Sequence, residues 1–191
     1  PTSGYFARYQ LGFASNPVQA YLASMLPVTS TLYVFRFQAP TTPHTLNGSP
    51  ITATTQLRYW SFCLYLGKYM PYRAYELECV ADEQVPLDPN GGVTIVAGPG
   101  VQPSNATPHN GVVWMPLTYP VTSTSPITSV LALVRHLLPD PGFAQSAFAV
   151  PDGMPAVPII GPYAPTIEEC STAQFEYNSC AATATATPTS T

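Results

Sequence analysis

Charged residues are the scarcest class in this sequence. They make up 8% of its 191 residues, and lysine occurs only at Lys68. Globular proteins usually have about 25% charged residues, and surface charge helps to keep their copies apart in solution. We therefore expect that glycans or neighbouring molecules cover much of this protein's surface.

The sequence also lacks the features that bind nucleic acid or span a bilayer. Its net charge is −4 and it has no basic patch, whereas nucleic-acid-binding surfaces gather Lys and Arg. No apolar run reaches the roughly 18 residues that a membrane-spanning helix needs. We predict no nucleic-acid partner and no membrane span. Because the chain begins at Pro1 without Met or a signal peptide, we expect a processed or trimmed start.

Catalytic signature motifs are missing as well. The sequence has no nucleophile elbow, His-Glu-x-x-His motif, phosphate loop or dinucleotide fingerprint. Its three histidines, His44, His109 and His136, are far apart, so a metal site would need the fold to gather them. We predict no catalytic residues, no metal and no cofactor, and we favour a non-enzymatic protein.

Four cysteines are the first informative feature that is present. Cys63, Cys79, Cys170 and Cys180 allow three pairings, and none lies in a Cys-x-x-Cys motif of the kind that binds zinc or performs redox chemistry. Cys63 and Cys79 lie on neighbouring predicted strands, and Cys170 and Cys180 would close a short loop. Two disulfide bonds are typical of an oxidising compartment, so we predict a secreted protein.

Two sequons agree with secretion. Asn47-Gly48-Ser49 and Asn105-Ala106-Thr107 lie in Pro- and Thr-rich segments that are typical of surface loops. Asn47 and Asn105 are therefore predicted N-glycosylation sites, and covalent glycans are predicted partners of the chain.

The last eleven residues, 181–191, alternate between Ala and Thr. This composition is typical of an O-glycosylated linker, whose candidate acceptors are Thr183, Thr185, Thr187, Thr189, Ser190 and Thr191. The same alternation suits an extended strand that adds to the edge of another sheet. A flexible terminus without partners is the third alternative.

The densest aromatic stretch, residues 56–67, predicts an interior strand, because apolar side chains occupy both of its faces. Further predicted strands are residues 31–37, 75–80, 85–87, 93–97, 112–117 and 129–137. The Asp88-Pro89-Asn90-Gly91-Gly92 segment can supply the positive φ of a tight turn, so we predict a hairpin around it.

Three short helices are predicted. Asn16 is a candidate cap and Pro17 suits the first helical position, with apolar residues following at helical spacing as far as Pro27. Asp140-Pro141 predicts a second helix through residues 143–148, and Ser171-x-x-Gln174 predicts a capping box for the third. With about seven strands and 23 prolines, the pattern predicts a mainly β fold of the β-sandwich or jelly-roll type. We expect one domain over residues 1–180, followed by the 181–191 tail.

Arg58 is the most informative single residue. It shares its side of the predicted interior strand with Trp60, and a buried guanidinium needs a carboxylate or several carbonyls. Asp82 and Asp140 are candidate partners. We predict a structural ion pair, with a ligand site as the alternative. Asp82 and Glu83 are also candidate cation ligands together with Asp88, although a polar turn is the commoner role.

Two further groups of residues are candidates for carbohydrate chemistry. Glu76 and Glu78 share a strand face about 7 Å apart, a spacing that a pair of glycosidase carboxylates tolerates. Trp114 and Tyr119 are candidates for an aromatic platform under a sugar. A solvated strand face and core packing are the commoner roles of such residues.

Several short segments follow one another in a specific order. Among them are Asn16-Pro17, Arg58-Tyr59-Trp60-Ser61, Trp114-Met115-Pro116 and Leu137-Leu138-Pro139. This arrangement resembles an uncharacterised family of secreted bacterial and fungal β-rich proteins over roughly residues 16–180. The resemblance implies a β-sandwich architecture and an extracytoplasmic setting, and it implies no catalytic residues.

These features predict an extracellular, non-enzymatic structural glycoprotein domain. We expect it to self-associate with other copies of itself into a fibre or surface assembly, with the 181–191 tail as a candidate contact. The alternative function is a secreted carbohydrate-binding or glycoside-hydrolysing jelly-roll domain, in which carboxylates or aromatic residues would gather in a concave pocket.

Overall fold

The computed structural model describes residues 4–9, 16–52, 54–66, 76–118 and 128–180. Its strands are β1 (Ala7–Arg8), β2 (Gln19–Pro27), β3 (Leu32–Gln38), β4 (Leu57–Leu66), β5 (Glu76–Ala81), β6 (Gly92–Gly98), β7 (Val112–Pro116), β8 (Ser129–Pro139) and β9 (Thr166–Cys170). Its α-helices are α1 (Val157–Ile160) and α2 (Thr172–Asn178). Single 3₁₀ turns occur at Thr45–Asn47, Asp82–Gln84, Pro108–Asn110, Ala147–Ala149 and Gly161–Tyr163. The predicted mainly β fold is confirmed.

The described strands form two sheets. One has the order β1-β2-β8-β4-β5, and the other has the order β7-β6-β3-β9. Neighbouring strands are antiparallel, except that β6 and β7 run parallel. The predicted interior strand is confirmed, because β4 lies between β8 and β5 and pairs with both.

The main core contains side chains from both sheets. Phe35 of β3 and Phe62 of β4 have ring centroids 4.8 Å apart, and Phe37 of β3 lies 5.4 Å from Trp60 of β4. All four side chains belong to one buried cluster. Apolar burial is the dominant favourable term in folding, so these contacts between the sheets hold the two layers together.

A second apolar cluster lies on the four-stranded sheet. Phe175 of α2 is buried there with Leu32 and Val34 of β3. The predicted capping box of α2 is confirmed: Ser171 Oγ accepts a hydrogen bond from Gln174 N at 3.2 Å, and Gln174 Oε1 accepts one from Ser171 N at 3.0 Å. These two bonds satisfy backbone groups at the start of the helix.

Two disulfide bonds are present. Cys63–Cys79 joins β4 to β5, and Cys170–Cys180 joins the end of β9 to the residue that follows α2. Both pairings agree with the sequence-based suggestion and are consistent with an extracellular protein. In the described residues, no helix has the length and apolar character needed to cross a membrane.

The helix predicted after Asn16 is wrong, because this segment forms strand β2. Asn16 Oδ1 accepts a hydrogen bond from Val18 N at 3.0 Å, so the asparagine closes a turn instead of capping a helix. β2 then pairs along its whole length with β8, from Gln19 opposite Leu137 to Pro27 opposite Ser129. A strand buried on both faces is apolar at nearly every position, which also satisfies helical spacing.

Two shorter predictions are also corrected. Residues 143–148 form turns and the start of the Ala147–Ala149 3₁₀ turn instead of a short helix. Residues 85–87 are not a strand, so no hairpin forms at Asp88. The Asp88 carboxylate accepts hydrogen bonds from Asn90 N and Gly92 N, both at 2.7 Å, which makes this segment a tight turn before β6.

Candidate functional site

Several clefts lie side by side at one end of the sheets, where β4 begins and β8 ends. The largest of those described has a volume of about 530 Å³ and is lined by Ile51, Arg58, Leu138 and Asp140 among others. A neighbouring cleft of about 420 Å³ shares Arg58 and contains Asp82 and Glu83. The sequence singled out Arg58, Asp82 and Asp140, and the fold places all three at this end of the molecule.

Arg58 differs from its prediction. Its side chain is half-buried, and its Nη1 donates a hydrogen bond to the Ile51 carbonyl. Across the described segments the ion pairs join Arg8 to Asp152 and Arg36 to Glu168, so the predicted buried ion pair of Arg58 is not found. A guanidinium that keeps contact with water and has a carbonyl partner does not need a carboxylate.

The backbone around Arg58 is irregular. Leu57 and Trp60 are three positions apart, so a regular strand would place them on opposite faces of the sheet. Both belong to the main core, so the alternation of faces is interrupted between them. On the paired strand, Leu138 has a φ of 46°, which is uncommon for a residue other than glycine. Its backbone N–H donates to the Val18 carbonyl at 2.9 Å. The pleat is therefore irregular on both strands at this end.

Apolar side chains surround the clefts. The exposed fractions are 77% for Leu46, 61% for Ile51, 49% for Leu138 and 38% for Val18. Ile51 and Leu138 line the larger of the two clefts that share Arg58, and Leu46 lines the smaller one. The Val18 carbonyl accepts a hydrogen bond from the Leu138 backbone N–H. We call these four residues the end patch. Exposed apolar groups that cluster in this way often mark an interaction surface.

Asp82 and Glu83 are neighbouring carboxyl groups with opposite pKa shifts. Burial raises the pKa of Asp82, and hydrogen bonds from Thr42 and Glu83 N offset this only in part. For Glu83, desolvation raises the pKa, but hydrogen bonds from Leu46 N and Thr45 outweigh it and lower the pKa. Carboxyl pairs with diverging pKa values are typical of acid–base catalysis.

The contacts of Glu83 also have a structural consequence. Its carboxylate accepts hydrogen bonds from Thr45 Oγ1 at 2.9 Å and from Leu46 N at 3.1 Å, which fixes the loop that carries Leu46. Nothing in the sequence around Glu83 indicated this partner, because Thr45 lies 38 residues away. The contact depends on the fold placing the Thr45–Asn47 turn against the Asp82–Gln84 turn.

The other candidate residues are dispersed. Glu76 and Glu78 lie on the edge strand β5, where the pairing with β4 is irregular, and Trp114 packs against the second cluster. None of these three lines the described clefts. Tyr119 and the O-glycosylation candidates of the 181–191 tail lie outside the described residues.

One group of potential metal ligands occurs within the described ranges. Cys63, Glu76 and Cys79 offer ligand atoms within 4.8 Å of one another. Both cysteines form a disulfide bond with each other, and a metal needs the free thiolate. This group is therefore part of the structural link between β4 and β5.

His136, one of the three histidines that are far apart in the sequence, has an unusual environment. It lies on β8 with no exposed surface, and its Nδ1 accepts a hydrogen bond from Ala147 N at 3.0 Å. Burial, with a smaller contribution from the nearby charge of Arg8, lowers its pKa to about 3. His136 is therefore neutral and joins β8 to the Ala147–Ala149 turn.

Both predicted N-glycosylation sites are exposed in loops. Asn47 is the last residue of the Thr45–Asn47 turn, and Gly48 follows it with a φ of 82°. Asn105 lies beside α2, and its Nδ2 donates a hydrogen bond to the Glu176 carbonyl at 3.1 Å. The two sequons therefore have different surroundings.

No family model and no curated protein matches the sequence, so the family resemblance stays a prediction. Among solved structures, the chain is similar to an uncharacterised protein from Burkholderia cenocepacia, with a TM-score of 0.48 and 12% identity over 90% of this chain and 36% of that one. It is also similar to the VPA0106 protein from Vibrio parahaemolyticus, with a TM-score of 0.46 and 18% identity over 84% of this chain and 33% of that one. The chain thus spans about a third of the length of these structures.

Proposed function

We propose that this chain is an extracellular, non-enzymatic β-sandwich domain of the jelly-roll type that self-associates with other copies of itself. Two sheets around one core and two disulfide bonds support the architecture and the setting. The observation that carries the function is the end patch, which exposes four apolar side chains on a chain with only 8% charged residues.

The physical basis of the association is apolar burial with little opposing charge. Each Å² of apolar surface that leaves water contributes about 25 cal/mol, and few like charges keep the copies apart. Arg58, half-buried between the exposed apolar side chains, has donors that suit carbonyl groups of a partner. The end patch therefore offers both apolar contact and hydrogen bonds at one place.

Two of the four edge strands of the described sheets disfavour edge-to-edge pairing. Strands β5 and β9 are edges of these sheets, as are β1 and β7, and β5 and β9 each carry two glutamates, Glu76 and Glu78 on β5 and Glu168 and Glu169 on β9. Charged residues on edge strands discourage the addition of a further strand. Four of the ten acidic residues of the chain lie on these two strands.

Replacing Ile51 with aspartate is expected to weaken self-association at least about tenfold, which corresponds to about 1.4 kcal/mol. The introduced carboxylate would have to be buried at the contact, which costs free energy unless it is paired. Sedimentation velocity over a range of concentrations measures the effect. Val101→Asp is the matched control, because Val101 is also exposed but lies outside the end patch.

Two outcomes would contradict this proposal. The wild-type protein could remain monomeric at every concentration up to the millimolar range. Alternatively, Val101→Asp could weaken association as strongly as Ile51→Asp, which would show that any added charge has this effect and that the end patch has no special role.

A carbohydrate-active function is the second candidate, and the opposite pKa shifts of Asp82 and Glu83 beside a cleft favour it. It predicts that the protein binds or hydrolyses a glycan and that Asp82→Asn abolishes this activity, because Asp82 would serve as the acid of higher pKa. A glycan array and an assay for released reducing ends test it. No signal in either experiment would count against this function.

A further inference from the structure

The Asn105 sequon is held by α2. The Glu176 carboxylate accepts hydrogen bonds from Ser104 N, from Ser104 Oγ at 2.7 Å and from Asn105 N at 3.4 Å. In the opposite direction, Asn105 Nδ2 donates to the Glu176 carbonyl at 3.1 Å. One residue of the helix therefore binds both the backbone and the side-chain amide of the predicted acceptor.

The rest of this sequon is fixed as well. Ala106 has no exposed surface and belongs to the second apolar cluster. The Asn105 carbonyl accepts hydrogen bonds from Thr107 N at 3.0 Å and from Asn110 Nδ2 at 3.1 Å. The segment cannot change its backbone conformation without withdrawing Ala106 from the cluster and breaking these bonds.

α2 is itself attached at several points. Phe175 is buried in the second cluster, and the Cys170–Cys180 bond closes the segment around the helix. Arg36 of β3 donates to the Ser179 carbonyl and forms an ion pair with Glu168 of β9. Asn105 is therefore held in place only when α2 is docked, because Glu176 of α2 supplies these contacts.

Asn47 provides a contrast within the same chain. It is exposed, and its backbone N–H donates to the His44 carbonyl at 3.1 Å, but its side-chain amide makes no hydrogen bond to any residue that the structure describes. The contrast with Asn105 therefore lies in the side-chain amide. The Glu83 contacts involve Thr45 and Leu46, which precede it. Gly48 follows with a positive φ, so the chain turns away directly after the asparagine.

N-glycosylation needs a free amide nitrogen. Nδ2 attacks the anomeric carbon of a lipid-pyrophosphate-linked oligosaccharide, which the transferase supplies. The C–N bond forms while the bond from the anomeric carbon to the pyrophosphate oxygen breaks. The pyrophosphate leaves with the electron pair, and Nδ2 gives up one of its two protons to a base of the transferase. An amide held against a carbonyl and flanked by a fixed backbone is a poor substrate for this reaction.

We propose that Asn47 accepts an N-glycan in the folded protein, whereas Asn105 accepts one only before α2 docks. Closure of the Cys170–Cys180 bond thus sets how much of the protein carries the second glycan. This proposal rests on the extracellular setting of the proposed function. It adds that the C-terminal helix controls one of the two modification sites.

The test is secretion of the chain from a eukaryotic host, followed by peptide mass spectrometry of site occupancy. In the wild type, Asn47 is expected to be largely occupied and Asn105 occupied to a much smaller extent. The double substitution Cys170→Ser and Cys180→Ser is expected to raise occupancy of Asn105 several-fold and to leave Asn47 unchanged. Glu176→Ala, which keeps the disulfide bond, is expected to raise it by a smaller factor.

The matched control is the double substitution Cys63→Ser and Cys79→Ser. It also removes one disulfide bond, but from strands β4 and β5 of the other sheet, so occupancy of Asn105 is expected to stay at the wild-type value. An equal increase in both double variants would overturn the proposal, since general destabilisation would then explain it. Equal occupancy of Asn47 and Asn105 in the wild type, or modification of neither, would also overturn it.

A second measurement covers the case in which a cysteine variant fails to fold. Purified, unmodified wild-type protein is incubated with an oligosaccharyltransferase and its lipid-linked donor, with and without a mild reductant. We expect modification at Asn47 in both reactions and at Asn105 only after reduction; modification of Asn105 without reductant would contradict the proposal. Self-association is measured on the unmodified protein, so failure of the glycosylation proposal leaves the test of the proposed function intact.

Discussion

Acidification from about pH 7 to about pH 4 is expected to lower the free energy of unfolding by about 3 kcal/mol through His136 alone. The ring has no exposed surface, and its Nδ1 already accepts a hydrogen bond from Ala147 N. A proton on this ring would have to be accommodated away from water and close to the positive charge of Arg8. These two causes lower the pKa of His136 to about 3, from an ordinary value of 6.5.

The direction of this effect follows from the two pKa values. Between about pH 3 and pH 6.5 the unfolded chain binds a proton at His136 and the folded protein does not. Stability is therefore fully present above about pH 6.5 and decreases as the pH falls towards 3. The raised pKa of Asp82 acts in the opposite direction. The lowered pKa values of Glu83 and Glu176 act in the same direction, but only near and below 4.5.

Urea denaturation at a series of pH values between about 4 and 7 measures this loss, and the part of the series above about pH 5 isolates the contribution of the histidine. His136→Asn removes the titrating ring, and its amide oxygen can still accept the hydrogen bond from Ala147 N. We expect this variant to be less stable at neutral pH, but its free energy of unfolding should change much less with pH, which means a smaller slope. His109→Asn, at an exposed loop position, is expected to keep the wild-type slope. If His136→Asn keeps that slope as well, the buried histidine is not its cause.

Most strands could be predicted because their side-chain pattern is local information. β4 has apolar residues on both faces, and β5 alternates Glu76 and Glu78 with Leu77 and Cys79. An interior strand and an edge strand differ in this pattern, and the structure places them accordingly. β6, β7 and β8 were predicted to within a few residues for the same reason.

β2 could not be predicted in this way, because its identity depends on a partner more than 100 residues away. Asn16-Pro17 is as compatible with a turn as with a helix start, and the apolar residues that follow fit either structure. Pairing with β8 decides between them, since Leu22 lies opposite Val134 in the middle of the sheet. No local pattern in the sequence contains that contact.

The candidate site was predictable in part for a related reason. Arg58, Asp82 and Asp140 are conspicuous on a chain with few charges, and all three lie around the same clefts. We predicted that Arg58 would be buried in an ion pair with Asp82 or Asp140. In the structure Arg58 is half-buried, and its partner is a backbone carbonyl. Leu138, close to Arg58 at this end of the sheet, has a positive φ that neither its residue type nor its neighbours indicate.

Replacing Phe62 with alanine is expected to have the largest effect on stability, a loss of about 3–5 kcal/mol in the free energy of unfolding. Phe62 has no exposed surface, and its ring lies 4.8 Å from Phe35 of the other sheet and 6.3 Å from Phe6. Its removal leaves a cavity where the two sheets meet, and the paired neighbours Val80 and Val134 are held by the strand register. The site therefore has little freedom to collapse.

Two further variants determine whether the contact between the sheets is the cause. Phe62→Leu fills part of the cavity and is expected to cost about 1–2 kcal/mol. Tyr177→Ala removes an aromatic ring of similar size from the surface of α2, where the ring is largely exposed, and is expected to cost less than about 0.5 kcal/mol. Urea denaturation measures the free energy of unfolding of all three variants, and the slope of this free energy against urea concentration is compared between them. A loss below about 1 kcal/mol for Phe62→Ala, with an unchanged slope, would mean that the two sheets do not share a packed core at this position.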